Sequence, residues 1–160
     1  MAEEIILQTK EVEYVFVPVS TCGVVSGLSQ YLKQFRSTIK IIAVDLESSS
    51  IFQKATVSQH LPAMGFHEKP GNLSSAKIDD IVIVNEPECI RECYQMRSCS
   101  MLIGASSGAS IAGIKKYFKN RIPNEIIVAI FPDRGERYLS TVYNADWCAK
   151  NYPNLSLRGG

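Results

Sequence analysis

Three segments carry residues suited to holding an anion. Ser20-Thr21-Cys22-Gly23 lies between an apolar run over residues 14–19 and a helix-patterned stretch over 24–36. A strand that passes through small residues into a helix aims several backbone N–H groups at one point. The helix dipole stands behind them, so such a loop suits phosphate. Gly104-Ala105-Ser106-Ser107-Gly108-Ala109 offers serine hydroxyls at a second helix start, with glycines that allow close backbone approach. Pro132-Asp133-Arg134-Gly135-Glu136-Arg137-Tyr138 is dense in charge directly after the apolar run 125–131. Plainer readings stand beside these. Ser106 can serve as a helix cap, and the charged run can be a solvated turn whose ion pairs contribute little. Three phosphate-compatible loops at strand ends of one small chain favour a shared site.

The five cysteines divide into two groups. Cys89 and Cys93 are four residues apart and Cys99 follows six later, with neither His60 nor His67 at a familiar zinc spacing. They read as reduced thiols packed as small apolar groups, and so does Cys148 beside Trp147. Cys22 sits inside the phosphate-like loop, where a helix N-terminus can lower a thiol pKa. A nucleophilic role is open there, but no paired base is visible, which favours a space-filling thiol.

Alternating elements must position these loops. Residues 4–9 read as a short helical start and 14–19 as a strand. Val24, Val25, Leu28, Tyr31, Leu32 and Phe35 mark a helix over 24–36 with a 3.6-residue period. Residues 40–45 form a near-continuous apolar run, as in a parallel strand covered on both faces. A third strand over 78–85, a helix over 86–96 and a short apolar segment over 101–105 follow. A helix over 107–118, capped by Ser106, leads to the strand 125–131. A last helix is expected over 138–151, and the tail 155–160 reads as loose. The fold class is therefore α/β, an open, mostly parallel sheet flanked by helices with right-handed crossovers. The long irregular stretch 54–77, with Pro62, Gly65, Pro70 and Gly71, has the length of a functional loop.

Bulk composition bounds the partners. The 160 residues are read as one domain over 1–160, long enough to bury a core, with 46% hydrophobic and 21% charged residues. A net charge of +1 without a Lys/Arg cluster argues against nucleic acid as the main partner. No apolar run approaches the ~18 residues of a membrane span, and the Met-Ala-Glu-Glu start lacks the pattern of a signal peptide, so the chain reads as cytosolic.

These motifs, taken in order, resemble a known family. Ser20-Thr21-Cys22-Gly23-Val24 and the following helix resemble the Gly-Thr-Gly-Gly-Thr loop of fold-type II pyridoxal-phosphate enzymes. Gly-Ala-Ser-Ser-Gly-Ala and the run from Phe131 through Pro-Asp-Arg-Gly-Glu-Arg-Tyr-Leu-Ser to Thr141 are similar to late motifs of the cysteine synthase family. Leu61-Pro-Ala-Met-Gly-Phe with Pro70-Gly-Asn-Leu resembles that family's Gly/Pro-rich loop. The wording leans toward the branch that joins phosphoserine to glutamate for 2,3-diaminopropionate in siderophore or antibiotic pathways.

The resemblance implies pyridoxal 5'-phosphate as cofactor and β-replacement on a serine-derived amino acid. Ser20, Thr21, Cys22, Gly23 and Val24 become the cradle for the cofactor phosphate, and Val24 stands where the family carries threonine. Ser106 becomes the hydroxyl at the pyridine nitrogen, a neutral partner that suits β-elimination. Pro132 and Asp133 become the far edge of the ring site. The family's Schiff-base lysine and its substrate loop belong to a first half, so the chain reads as the C-terminal, cofactor-phosphate half, with no catalytic residue of its own. The partners expected are a small amino-acid substrate and either a second copy or a complementing N-terminal half. The alternative is a non-catalytic remnant that binds a phosphate-bearing ligand or a partner protein.

Overall fold

The computed structural model describes residues 1–119 and 121–157. Four strands, β1 (Tyr14–Pro18), β2 (Lys40–Leu46), β3 (Asp80–Val84) and β4 (Ile127–Ala129), pair in the order β3-β2-β1-β4 with every pairing parallel. Five α-helices accompany them: α1 (Ala2–Gln8), α2 (Gly23–Phe35), α3 (Glu86–Ser98), α4 (Ala105–Tyr117) and α5 (Ala145–Asn151). The sheet is open, parallel and flanked by helices, as the alternation of elements requires.

Strand periodicity divides the core into two layers. Val15, Val17, Ile41 and Ala43 point to one face, where they meet Val25, Leu28 and Leu32 of α2. Phe16, Ile42 and Val44 point to the other, where Cys89, Ile90 and Cys93 of α3 and Ala109 and Ala112 of α4 cover them. Helices α3 and α4 approach closely enough that a Cβ on Gly108 would lie 2.4 Å from the Cys89 carbonyl oxygen. An Asn85 capping box starts α3: Asn85 Oδ1 accepts from the Glu88 N–H and Glu88 Oε2 accepts from the Asn85 N–H.

Connectivity creates a switch point. The chain moves outward from β1 to β2 and β3, then returns to the opposite side of β1 as β4. The carboxyl ends of β1 and β4 therefore open on the crevice where an α/β sheet binds its ligands.

Several expected elements differ in detail. The strand expected over 125–131 is reduced to Ile127–Ala129, because β4 is an edge strand that pairs only with Tyr14, Val15 and Phe16. Ser106 does not cap α4. Gly104 does, with no side-chain cap bond, and Ser106 lies within the first turn. The helix expected over 138–151 is instead a 3₁₀ turn (Gly135–Tyr138), a further turn, and α5. Val142 and Tyr143 turn into the core, the Tyr143 hydroxyl donates to the Ile103 carbonyl (2.6 Å), and Asn144 Oδ1 caps α5 by accepting from the Trp147 N–H. The loop over 54–77 contains a 3₁₀ turn (Gly71–Ser75). Of the tail, 155–157 has no regular structure, and 158–160 lie outside the described residues.

All five cysteines are free, and four are buried; Cys99 is exposed, contrary to its expected packing, because it lies just beyond the end of α3. Among the described residues no cluster of three or more potential metal ligands occurs, and no helix is long and apolar enough to cross a membrane.

Candidate functional site

The loop after β1 folds over the carboxyl end of its own strand. Ser20 Oγ donates to the Gly65 carbonyl (3.0 Å), Cys22 Sγ to the Ser20 carbonyl (3.6 Å), and Asn72 Nδ2 to the Thr21 carbonyl (3.1 Å). Cys22 is the N-cap of α2 in left-handed backbone, with φ of 59°, and makes no side-chain cap bond. The first N–H groups of α2 therefore lack both an intrahelical acceptor and a side-chain cap. Their partial positive charge faces the cleft.

Residues 18–25, Ala63, Met64, Ser106 and Pro132 line this cleft. The structure thus gathers Ser20, Thr21, Cys22, Gly23, Val24, Ser106 and Pro132 from three separate loops. Ala63 and Met64 come from the long loop and were not among the expected site residues. Their signal was the Gly/Pro-rich segment itself, which does not identify side chains. Ala63 has φ of 66°. Two non-glycine residues held in this costly region, Cys22 and Ala63, therefore border one cleft, as occurs where a ligand is clamped.

The serines of α4 have separate tasks. Ser107 Oγ donates to the Asp133 carbonyl (3.4 Å) and Ser110 Oγ to the Ile130 carbonyl (3.0 Å). The Ser106 hydroxyl has no protein partner among the described residues, and its residue lines the cleft.

Asp133 does not line the cleft as expected. Its Oδ2 accepts a 2.5 Å hydrogen bond from the Tyr138 hydroxyl, and its other oxygen fills the space a side chain at Gly104 would occupy. A Cβ on Gly104 would lie 1.9 Å from Asp133 Oδ1. The Asp133 backbone ties Pro132 to the start of α4, its carbonyl accepting from the Gly104 N–H (3.2 Å), while Oδ1 has no hydrogen-bond partner. Burial and the Asp133 bond raise the Tyr138 phenol well above its usual range, so the hydroxyl remains a donor.

Electrostatics make Cys22 a poor nucleophile. Burial, reinforced by the Asp45 carboxyl, pushes its thiol up to about 11. Asp45 is fully buried at the end of β2. Its Oδ1 accepts from the Leu46 N–H (2.9 Å), its Oδ2 has no partner, and burial pushes its pKa up to about 6. A single Asp at a strand end carries no pattern, so nothing in the sequence marks Asp45 out.

Uncapped N–H groups and a neutral hydroxyl in one cleft fit a phosphate-bearing ligand. Among the described residues no lysine and no carboxylate lines the cleft. Among the described residues no lysine is buried; Lys33 pairs with Asp79 (2.7 Å) and Lys115 with Glu92 (2.8 Å).

A family model described as pyridoxal-phosphate dependent enzyme matches residues 1–133. O-acetylserine-dependent cystathionine beta-synthase from Helicobacter pylori superposes with a TM-score of 0.80 at 23% identity, over 89% of this chain and 48% of that one. O-acetylserine sulfhydrylase isoform 3 from Entamoeba histolytica gives 0.77 at 28% identity, over 89% and 44%. A hydrogen sulfide-producing enzyme from Fusobacterium nucleatum gives 0.75 at 28%, over 86% and 48%. The chain spans less than half the length of each of these solved structures.

Proposed function

The chain belongs to the pyridoxal-phosphate-dependent enzyme family, and from that premise we propose that it supplies the cofactor-phosphate wall of an enzyme replacing the β-substituent of a serine-derived amino acid. The observation that carries this reading is the meeting of the uncapped α2 N-terminus, the unpartnered Ser106 hydroxyl and Pro132 in one cleft at the switch point. When bound, pyridoxal phosphate supplies an electron sink for carbanionic charge at the substrate. The N–H groups that open α2 would hold its phosphate. Ser106 would hydrogen-bond the ring nitrogen without bringing a formal charge, and Pro132 would bound the ring edge. Ser-Thr-Cys-Gly and Asp-Arg-Gly-Glu-Arg-Tyr support phosphoserine as the amino acid and glutamate as the nucleophile, for 2,3-diaminopropionate formation.

A second reading is favoured by the absence of a lysine from the cleft lining among the described residues. On that reading the chain binds a phosphate-bearing ligand or a partner protein and catalyses nothing alone. Exposed Val24, Tyr31 and Phe35 on α2 support association, with a second copy or with a polypeptide carrying the other half. An absorbance scan with pyridoxal phosphate, followed by borohydride reduction and peptide mapping, tests the half-site reading. A lysine trapped on the cofactor by the chain alone would overturn the half-site reading. Cofactor-dependent thermal protection without trapping is the result expected of a half-site that awaits its other part.

A further inference from the structure

One wall of the cleft is built by the segment 59–66, and it is tied down at both ends. Toward its C-terminal end the Ser49 hydroxyl accepts from the Phe66 N–H (3.1 Å), while the Gly65 N–H donates to the Val19 carbonyl (3.0 Å). At the other end the His60 N–H donates to both carboxylate oxygens of Glu86, at 3.1 Å each. Glu86 is only 5% exposed. A carboxyl group so buried is costly unless its oxygens are well supplied with donors. The Ser48 hydroxyl donates to Oε1 (3.1 Å) and the Tyr152 hydroxyl to Oε2 (2.5 Å). The rings of Tyr152 and His60 meet edge to face, 5.9 Å between centroids. Burial and the Glu86 bond hold the Tyr152 phenol far above its usual pKa, so it stays a donor. Glu86 is not spent on capping α3, since Asn85 and Glu88 do that.

We propose that Glu86 is a positioning residue which, gripped by Tyr152 from beyond α5, anchors Ala63 and Met64 in the cleft wall and thereby sets how tightly the cleft retains phosphate. The anchoring stands on the contacts above; the effect on retention rests on the phosphate reading already proposed. Tyr152→Phe removes one donor and keeps the ring. Glu86→Gln keeps the size but turns one acceptor into a donor facing donors.

The test is amide hydrogen exchange over 60–66, with β2 amides as reference, together with titration by inorganic phosphate. Tyr152→Phe is expected to speed exchange at 60–66 by about tenfold relative to β2 and to weaken phosphate several-fold, with Glu86→Gln larger in both. Exchange at 60–66 that is unchanged, or that rises only in step with β2, overturns the anchor. Faster local exchange with unaltered phosphate affinity overturns the control of retention. If the parent chain binds no phosphate, the cradle reading fails, and exchange still decides the anchor. Should Glu86→Gln not fold, Tyr152→Phe decides alone.

Discussion

Cys22 shows how one residue can look reactive and be structural. Its place at a helix start would favour thiolate, yet burial and Asp45 push the thiol up to about 11. Alkylation with iodoacetamide at pH 8 should therefore modify Cys99 rapidly and leave Cys22, Cys89, Cys93 and Cys148 unmodified until the chain is unfolded; peptide mass spectrometry reads this directly. Rapid native labelling of Cys22 would restore a nucleophilic role. Asp45 leads to a pH prediction. Its folded pKa of about 6 lies above the unfolded value of 3.8, so the folded state holds the extra proton between those values. Stability should fall as pH rises from about 4 through 6 and then level, by on the order of 1–3 kcal/mol. Asp45→Asn should flatten that slope in urea melts taken across this range; an unchanged slope would mean that the carboxyl does not titrate there.

At the scale of elements, two glycines bring α4 to its place. A Cβ on Gly104 would collide with Asp133, and one on Gly108 with Cys89 and Cys93. Gly108→Ala should cost about 1–3 kcal/mol by prising α3 from α4, measurable as a lower denaturation midpoint. Gly104→Ala should displace Pro132 and Asp133 and so also weaken phosphate binding, whereas Gly108→Ala should act on stability alone. Equal phosphate loss in both would remove the special role given to the Asp133 tie. The alternating pattern made α2, β2 and α3 legible, because their apolar periods coincide with the layers they bury. It overstated β4, because an all-apolar run cannot tell a central strand from an edge strand with a single partner. It ran one helix through residues 138–151, because periodicity does not register that Tyr143 turns inward to Ile103 and that Asn144 begins a new helix. The cap expected at Ser106 falls instead on Gly104, because Ser106 already lies within the first turn of α4.

Across the whole molecule, the parallel order β3-β2-β1-β4 places the three loops at one crevice, which is why residues more than a hundred positions apart in sequence share a site. The carriers of the fold are local patterns; the carriers of the site are a crossover and a long loop, and only the first kind is read by spacing. Ala63 and Met64 lie in a wall held by Gln59 Nε2, which donates to the Met64 carbonyl (2.6 Å), and by the bonds of the His60 N–H to Glu86, none of which any motif encodes. The proposed site stands or falls with the α2 N-terminus as a phosphate cradle. Gly23 tests it, since a Cβ there meets only Asn72 Nδ2, at 3.6 Å, while the branches of valine press on the side chain that holds the Thr21 carbonyl. The most direct measurement is calorimetric titration of the parent chain and Gly23→Val with pyridoxal phosphate, pyridoxal and inorganic phosphate. The parent chain should bind the phosphorylated ligand in competition with phosphate and ignore pyridoxal, and Gly23→Val should bind it at least tenfold more weakly, about 1.4 kcal/mol. Binding of pyridoxal as tight as that of its phosphate, or no competition by phosphate, would contradict the claim.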